Sequence, residues 1–170
     1  MQRIMLVDDD ENVLRAVKRV LAQDNYHIET FNSGTEALKR IKAGGEFDLA
    51  ISDYRMPGMD GVFFLTTLHQ LQPDTLRMVL SAYTDMDALL GAINEAHIFR
   101  FVTKPWHDYE LRTTVAHALM HHGVLMENRR LADQVRAQRL ELERLEAEHA
   151  GITRVKLDDD GSILLDAEDT

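Results

Sequence analysis

Four apolar runs in this chain each end in a short polar cluster. Residues 3–7 run into Asp8-Asp9-Asp10, residues 47–52 into Ser52-Asp53, residues 76–80 into Ser81-Ala82, and residues 98–102 into Thr103-Lys104-Pro105. Gathered in one place, these ends would supply carboxylates, hydroxyls and an ammonium. Carboxylates held close together repel, raise one another's pKa and attract a divalent cation. Hard oxygen donors with open coordination positions suit Mg²⁺, which keeps several waters and bridges to phosphate oxygens. A carboxylate beside such a cation can attack phosphorus and become an acyl phosphate. The lysine and the hydroxyl can then hydrogen-bond the phosphoryl oxygens. None of this follows unless the fold brings the four ends to one edge.

The elements needed to do so are legible. Residues 3–7 and 27–31 read as buried strands, as do 47–52, 76–80 and 98–102. Between them lie amphipathic stretches: one through Val13, Leu14, Val17, Val20 and Leu21, one opening at Ser33 with Glu36 three residues on, one over residues 62–71 and a short one over 86–96. Gly44-Gly45, Pro57-Gly58 and Pro73 punctuate them. Five strand–helix units with near-continuous apolar strands predict an α/β fold, a doubly wound five-stranded parallel sheet covered on both faces. Ligand sites in such sheets lie at the carboxyl ends of the strands, where the four polar clusters fall.

Composition narrows the class. The chain has 170 residues, 45% hydrophobic and 28% charged, so it reads as one globular domain with an extension. With no cysteine, disulfide scaffolds, thiolate metal sites and thiol nucleophiles are excluded. Apolar runs of only a few residues leave no membrane span. Met1-Gln2-Arg3 leads directly into a strand, leaving no room for a signal peptide, so a cytoplasmic location is expected. The formal net charge of −10 comes without a dense Lys/Arg cluster, which argues against direct DNA contact.

Val7-Asp8-Asp9-Asp10, the segment from Asp53 to Gly61 (DYRMPGMDG), Leu80-Ser81-Ala82 and Phe101-Val102-Thr103-Lys104-Pro105 together resemble the motifs of bacterial two-component response-regulator receiver (CheY-like) domains. The resemblance covers residues 1–120, with the motifs in order and at the family's spacing. It implies a flavodoxin-like sheet of order 2-1-3-4-5. It also implies that Asp53 accepts phosphate from a histidine kinase or a histidine phosphotransfer protein. Asp9, Asp53 and the Arg55 backbone carbonyl would hold Mg²⁺, with Asp8 assisting directly or through water. Lys104 would contact the phosphoryl group, and its bond to Pro105 is typically cis. Ser81 and Phe101 would be the switch pair, standing where threonine and tyrosine are commoner. Beyond its own phosphotransfer and dephosphorylation, no enzymatic activity is implied.

Other residues have plainer readings. Asp10 suits a helix cap. His117, His121 and His122 share a helix with no third ligand, and a solvated face is expected for them. Arg55 and Tyr83, each two residues past a site residue, could restrict attacking water and prolong the phosphorylated state.

After Leu111 one helix is expected from residue 108 to about 149. From Asn128 the spacing Leu131, Val135, Gln138, Leu142, Leu145 alternates four and three, a heptad seam with Asn128 at an a position. Residues 121–150 are therefore expected to form a coiled-coil extension and a homodimer through residues 124–149. Residues 151–170 are expected to hold a short β-hairpin around Asp159-Asp160-Gly161 over residues 152–165, then an acidic tail. The output is open: an unknown downstream protein, a larger effector (a phosphodiesterase or transcription activator) of which this is the N-terminal part, or a phosphate sink in a relay.

Overall fold

A computed structural model describes residues 1–82 and 96–148. Strands β1 (Arg3–Val7), β2 (His27–Phe31), β3 (Leu49–Asp53), β4 (Leu76–Ala82) and β5 (Arg100–Lys104) form one parallel sheet of order β2-β1-β3-β4-β5. Helices α1 (Glu11–Leu21), α2 (Gly34–Lys42), α3 (Gly61–Leu71) and α4 (Asp108–Glu148) complete the described elements. The helix expected over residues 86–96, except Ala96, and the hairpin expected over 152–165 lie outside the described residues. Among those described, no helix is long and apolar enough to cross a membrane. The chain divides into two compact units, the first spanning Met1–Met126 and the second beginning at Glu127.

The β1 run is apolar at every position because both faces of the sheet are covered. Ile4 and Leu6 pack with Leu14 and Val17 of α1 and with Leu111 and Val115 of α4. Met5 and Val7 point the other way, into Ala37 and Leu38 of α2 and Phe64 and Leu65 of α3. Alternation of side chains across a strand puts these neighbours on opposite faces. The strand order reverses direction between β1 and β3, which opens a crevice at their carboxyl ends.

Two strands begin later than their apolar runs. β3 starts at Leu49 rather than residue 47, and β5 at Arg100 rather than residue 98. Phe47 and Ile98 are buried, but the ladder begins after them, with Leu49 against Leu76 and Met78 against Arg100. Apolar runs report burial, whereas strand ends follow pairing. The shift carries Asp53 and Lys104 into the sheet as the last residues of their strands.

The helix starts are locally specified. Asp10 is the N-cap of α1, its side chain accepting from the Asn12 N–H, so it is used as a cap. Ser33 accepts from the Glu36 N–H at α2, and Asp60 from the Phe63 N–H at α3.

The solvated-face expectation fails for His122. Its side chain is buried, with Nδ1 3.3 Å from an Asp48 carboxylate oxygen. The other Asp48 oxygen accepts from the Arg3 backbone N–H at 2.7 Å, so one aspartate ties α4 to the start of β1. His121 stacks on Phe99 with ring centroids 5.0 Å apart. Helix α4 packs on the sheet one turn further along than the last apolar residue of its buried stripe, Leu119, indicates.

Candidate functional site

The carboxyl ends of β1, β3 and β5 place Asp8, Asp9, Asp53 and Lys104 together. One carboxylate oxygen from each of the three aspartates lies within 4.8 Å of the others. Asp8 and Asp53 are buried while Asp9 is exposed, so the cluster is closed below and open to solvent above. Lys104 Nζ donates to Asp53 Oδ1 at 2.6 Å and to Asp8 Oδ2 at 2.8 Å. The second Asp8 oxygen accepts from the Asp10 N–H at 2.9 Å, which fixes that carboxylate between two donors.

Three formal negative charges thus face one positive charge. Burial, helped by the charges of Asp8 and Asp9, holds the Asp53 carboxyl above its ordinary range even though Lys104 pulls it down. Burial alone would lower Lys104, but its hydrogen bonds to Asp53 and Asp8 and their charges raise it. The single ammonium charge of Lys104 is divided between two carboxylates. The residual negative charge and the hard oxygen donors fit a divalent cation of the Mg²⁺ type. Arg55 lies two residues beyond Asp53 in the β3–α3 loop, with its side chain exposed.

The flanking residues Ser81 and Phe101 lie on the paired strands β4 and β5. Ser81 is fully buried near the end of β4, its hydroxyl donating to the Ala82 carbonyl at 3.2 Å, and it pairs in register with Thr103 of β5. Phe101 is half-buried against the core on the α2/α3 face. The Lys104–Pro105 peptide is cis. Tyr83, the other residue flanking the site, lies outside the described residues.

Two contributors carry contacts that the sequence motifs containing them did not specify. Ser52 donates its hydroxyl to the Asp53 carbonyl at 2.9 Å. Gly61 closes the β3–α3 loop by donating its N–H to the Tyr54 carbonyl at 2.9 Å. A Cβ on Gly61 would fall 1.9 Å from the Asp53 carbonyl oxygen, so only glycine permits this approach. An Asp-Gly pair opening a helix just after a candidate nucleophile was the available signal. Gly61→Ala is expected to cost about 1–3 kcal/mol of stability in chemical denaturation, as overpacking does. A wild-type midpoint would refute the close approach.

The response regulator receiver domain model matches residues 4–116. The hydrogenase transcriptional regulatory protein HoxA of Bradyrhizobium diazoefficiens is 31% identical over 158 residues, covering 92% of this chain and 32% of that protein. The DNA-binding transcriptional regulator NtrC of Escherichia coli K12 is 33% identical over 124 residues, covering 72% of this chain and 26% of that protein. The signal receiver domain of an HD domain-containing protein from Pseudomonas fluorescens superposes with a TM-score of 0.69 at 36% identity, covering 74% of this chain and 92% of that one. The chain spans about a third or less of the length of these two curated relatives.

Proposed function

This chain belongs to the response regulator receiver family, and from that premise we propose that Asp53 is its phosphoryl acceptor. The observation that carries the reading is the Asp8–Asp9–Asp53 cluster with the Lys104 ammonium hydrogen-bonded inside it. The donor is a phosphohistidine on a histidine kinase or a histidine phosphotransfer protein. An Asp53 carboxylate oxygen attacks phosphorus, the P–N bond to the imidazole breaks, and the histidine nitrogen leaves with the electron pair. Asp8, Asp9, Asp53 and the Arg55 carbonyl would hold Mg²⁺. When bound, the cation offsets the negative charge shared by carboxylate and phosphoryl oxygens. Lys104 turns from Asp53 toward a phosphoryl oxygen, and the Ser81 hydroxyl exchanges the Ala82 carbonyl for another. Phe101 then follows by packing, since its ring carries no hydroxyl.

The test is incubation with acetyl phosphate and Mg²⁺, followed by intact-mass and peptide mapping. One phosphoryl group on the peptide containing Asp53 is the expected product. A phosphoryl group mapped elsewhere would overturn the assignment.

The raised Asp53 pKa sets a pH signature for the metal. The folded state binds this proton more tightly than the unfolded state does. Its stability contribution therefore rises as pH falls from neutral toward the ordinary value of 3.8. Mg²⁺ competes with that proton. The gain in Tm from millimolar Mg²⁺ is expected to be largest near pH 7 and to vanish toward about pH 4. A gain that does not change with pH would contradict this reading.

Downstream, the chain signals in the cytoplasm through protein contacts and through a homodimer built on residues 124–149. Because its relatives are much longer, a second reading makes it the receiver part of a transcription regulator, with the same helix leading into the effector. Light scattering with Mg²⁺, with and without beryllofluoride as phosphoryl mimic, tests whether assembly follows phosphorylation.

A further inference from the structure

Ser52 is a polar exception inside a buried strand. It stands in register between Val7 of β1 and Val79 of β4, and all three residues are buried. Register partners point their side chains to one face of the sheet, so the Ser52 hydroxyl enters the apolar layer that α2 and α3 cover. A hydroxyl without a partner in such a layer costs stability that an alkyl group does not. Its partner is the backbone carbonyl of the next residue, Asp53, at 2.9 Å.

The backbone around that carbonyl is held at several points. The Tyr54 N–H donates to the Leu80 carbonyl at 2.9 Å, and the Tyr54 carbonyl accepts from the Gly61 N–H at 2.9 Å. Gly61 also approaches the Asp53 carbonyl oxygen too closely to carry a Cβ. These contacts come from backbone atoms. The Ser52 hydroxyl adds a hold from a side chain, and it acts on particular rotations. The ring that its bond closes contains, besides Ser52's own χ1 and ψ, the φ and ψ of Asp53. The first of these two dihedrals aims the Asp53 side chain relative to β3. The second places the loop that carries the Arg55 carbonyl relative to that side chain.

We propose that Ser52 is a positioning residue for phosphoryl transfer, its buried hydroxyl fixing the backbone of Asp53 so that carboxylate and loop keep one spacing for the metal and one direction toward phosphorus. The inference rests on Asp53 as the acceptor, and Ser52 acts through that residue alone. The need for such a hold is local. Asp53 is the last residue of β3, and one of its carboxylate oxygens lies within 4.8 Å of an oxygen from each of Asp8 and Asp9. Lys104 offsets that repulsion in the resting site and turns away from Asp53 during transfer. At that moment the backbone has to keep the nucleophile aligned, which is the part of the barrier that pre-set geometry lowers.

Threonine and valine match in shape and differ in the hydroxyl, so full-length Ser52→Thr and Ser52→Val chains separate positioning from packing. Two quantities are read: the Mg²⁺ dissociation constant by calorimetry, and the rate of labelling from acetyl phosphate at saturating Mg²⁺. Ser52→Val is expected to bind Mg²⁺ about tenfold more weakly and to be labelled about tenfold more slowly, the scale of losing a group that orients a metal ligand. Ser52→Thr is expected to recover most of both losses. Ser52→Ala, which adds no volume, is expected to match Ser52→Val, and it keeps the comparison with wild type if the bulkier chains fail to fold.

A Ser52→Ala chain equal to wild type in both quantities, or a folded Ser52→Thr chain no better than Ser52→Val, would overturn the positioning role. The site of labelling in the wild-type chain is read separately. A phosphoryl group away from Asp53 removes the acceptor reading and this inference with it. A phosphoryl group on Asp53 with kinetics indifferent to the hydroxyl removes the inference alone.

Discussion

Asp53→Asn is expected to abolish phosphoryl transfer to the chain, by at least about a thousandfold in rate, because no other described residue is placed to act as the in-line nucleophile. Asp8 is the nearest alternative, but both of its oxygens are engaged, one by the Asp10 N–H and the other by Lys104. Asp9 is exposed and hence free to turn toward solvent rather than held against a donor's phosphorus. The same substitution is expected to raise the Tm of the metal-free protein. Burial and the neighbouring carboxylates disfavour the Asp53 charge in the folded state, and an amide of the same shape carries none. Loss of labelling together with a gain in stability is a signature that general misfolding cannot produce. Labelling that persists at the wild-type rate would remove Asp53 from the acceptor role.

Lys104→Met has the opposite sign on stability. The wild-type ammonium is the only cation hydrogen-bonded to both Asp8 and Asp53 among the described residues, and all three side chains are mostly buried. Removing one partner of a buried ion pair costs about 3–5 kcal/mol, since the carboxylates left behind have lost their counter-charge. Lys104 titrates above its ordinary value of 10.5, so in the wild type this contribution holds across the neutral range and is lost only as pH rises beyond that value. Urea denaturation of metal-free Lys104→Met is expected to show the loss, and Mg²⁺ to recover part of it. Adding Asp53→Asn is expected to recover more, with a coupling between the two sites in a double-mutant cycle. Phosphorylation is expected to slow by about a hundredfold to a thousandfold, the scale set by removing one charge-stabilising donor. A Lys104→Met protein as stable and as reactive as wild type would refute the central place of this lysine.

Much of the site could be read before any coordinates. A parallel strand buried on both faces is a continuous apolar run, so the first polar residue after each run marks a carboxyl end of the sheet. Asp8 is such a residue, Asp53 and Lys104 follow one position later behind Ser52 and Thr103, and the doubly wound connectivity brings their strands' ends to one edge. The caps Asp10 and Ser33 were equally legible, because a cap bonds to N–H groups two or three residues away.

What the local pattern could not supply was the partner of any polar group whose counterpart is distant in sequence. His122 looked like a surface histidine, yet it is buried against Asp48, 74 positions earlier. Arg77 sits within the buried β4 strand. It is tolerated there because its guanidinium donates to the carbonyls of Pro73, Thr75, Ala96 and His97, two of them on the far side of the crossover to β5. Gly61 could be any turn glycine until the Asp53 carbonyl is seen against it.

The sequence by itself determined which faces are apolar, which segments become strands and which chemistry lies just past them, because those depend on residues within a turn or a strand of one another. Only the tertiary structure decided how Lys104 is shared between Asp8 and Asp53, and which polar side chains are buried rather than solvated. Those outcomes depend on distances between residues that meet only after the sheet has assembled.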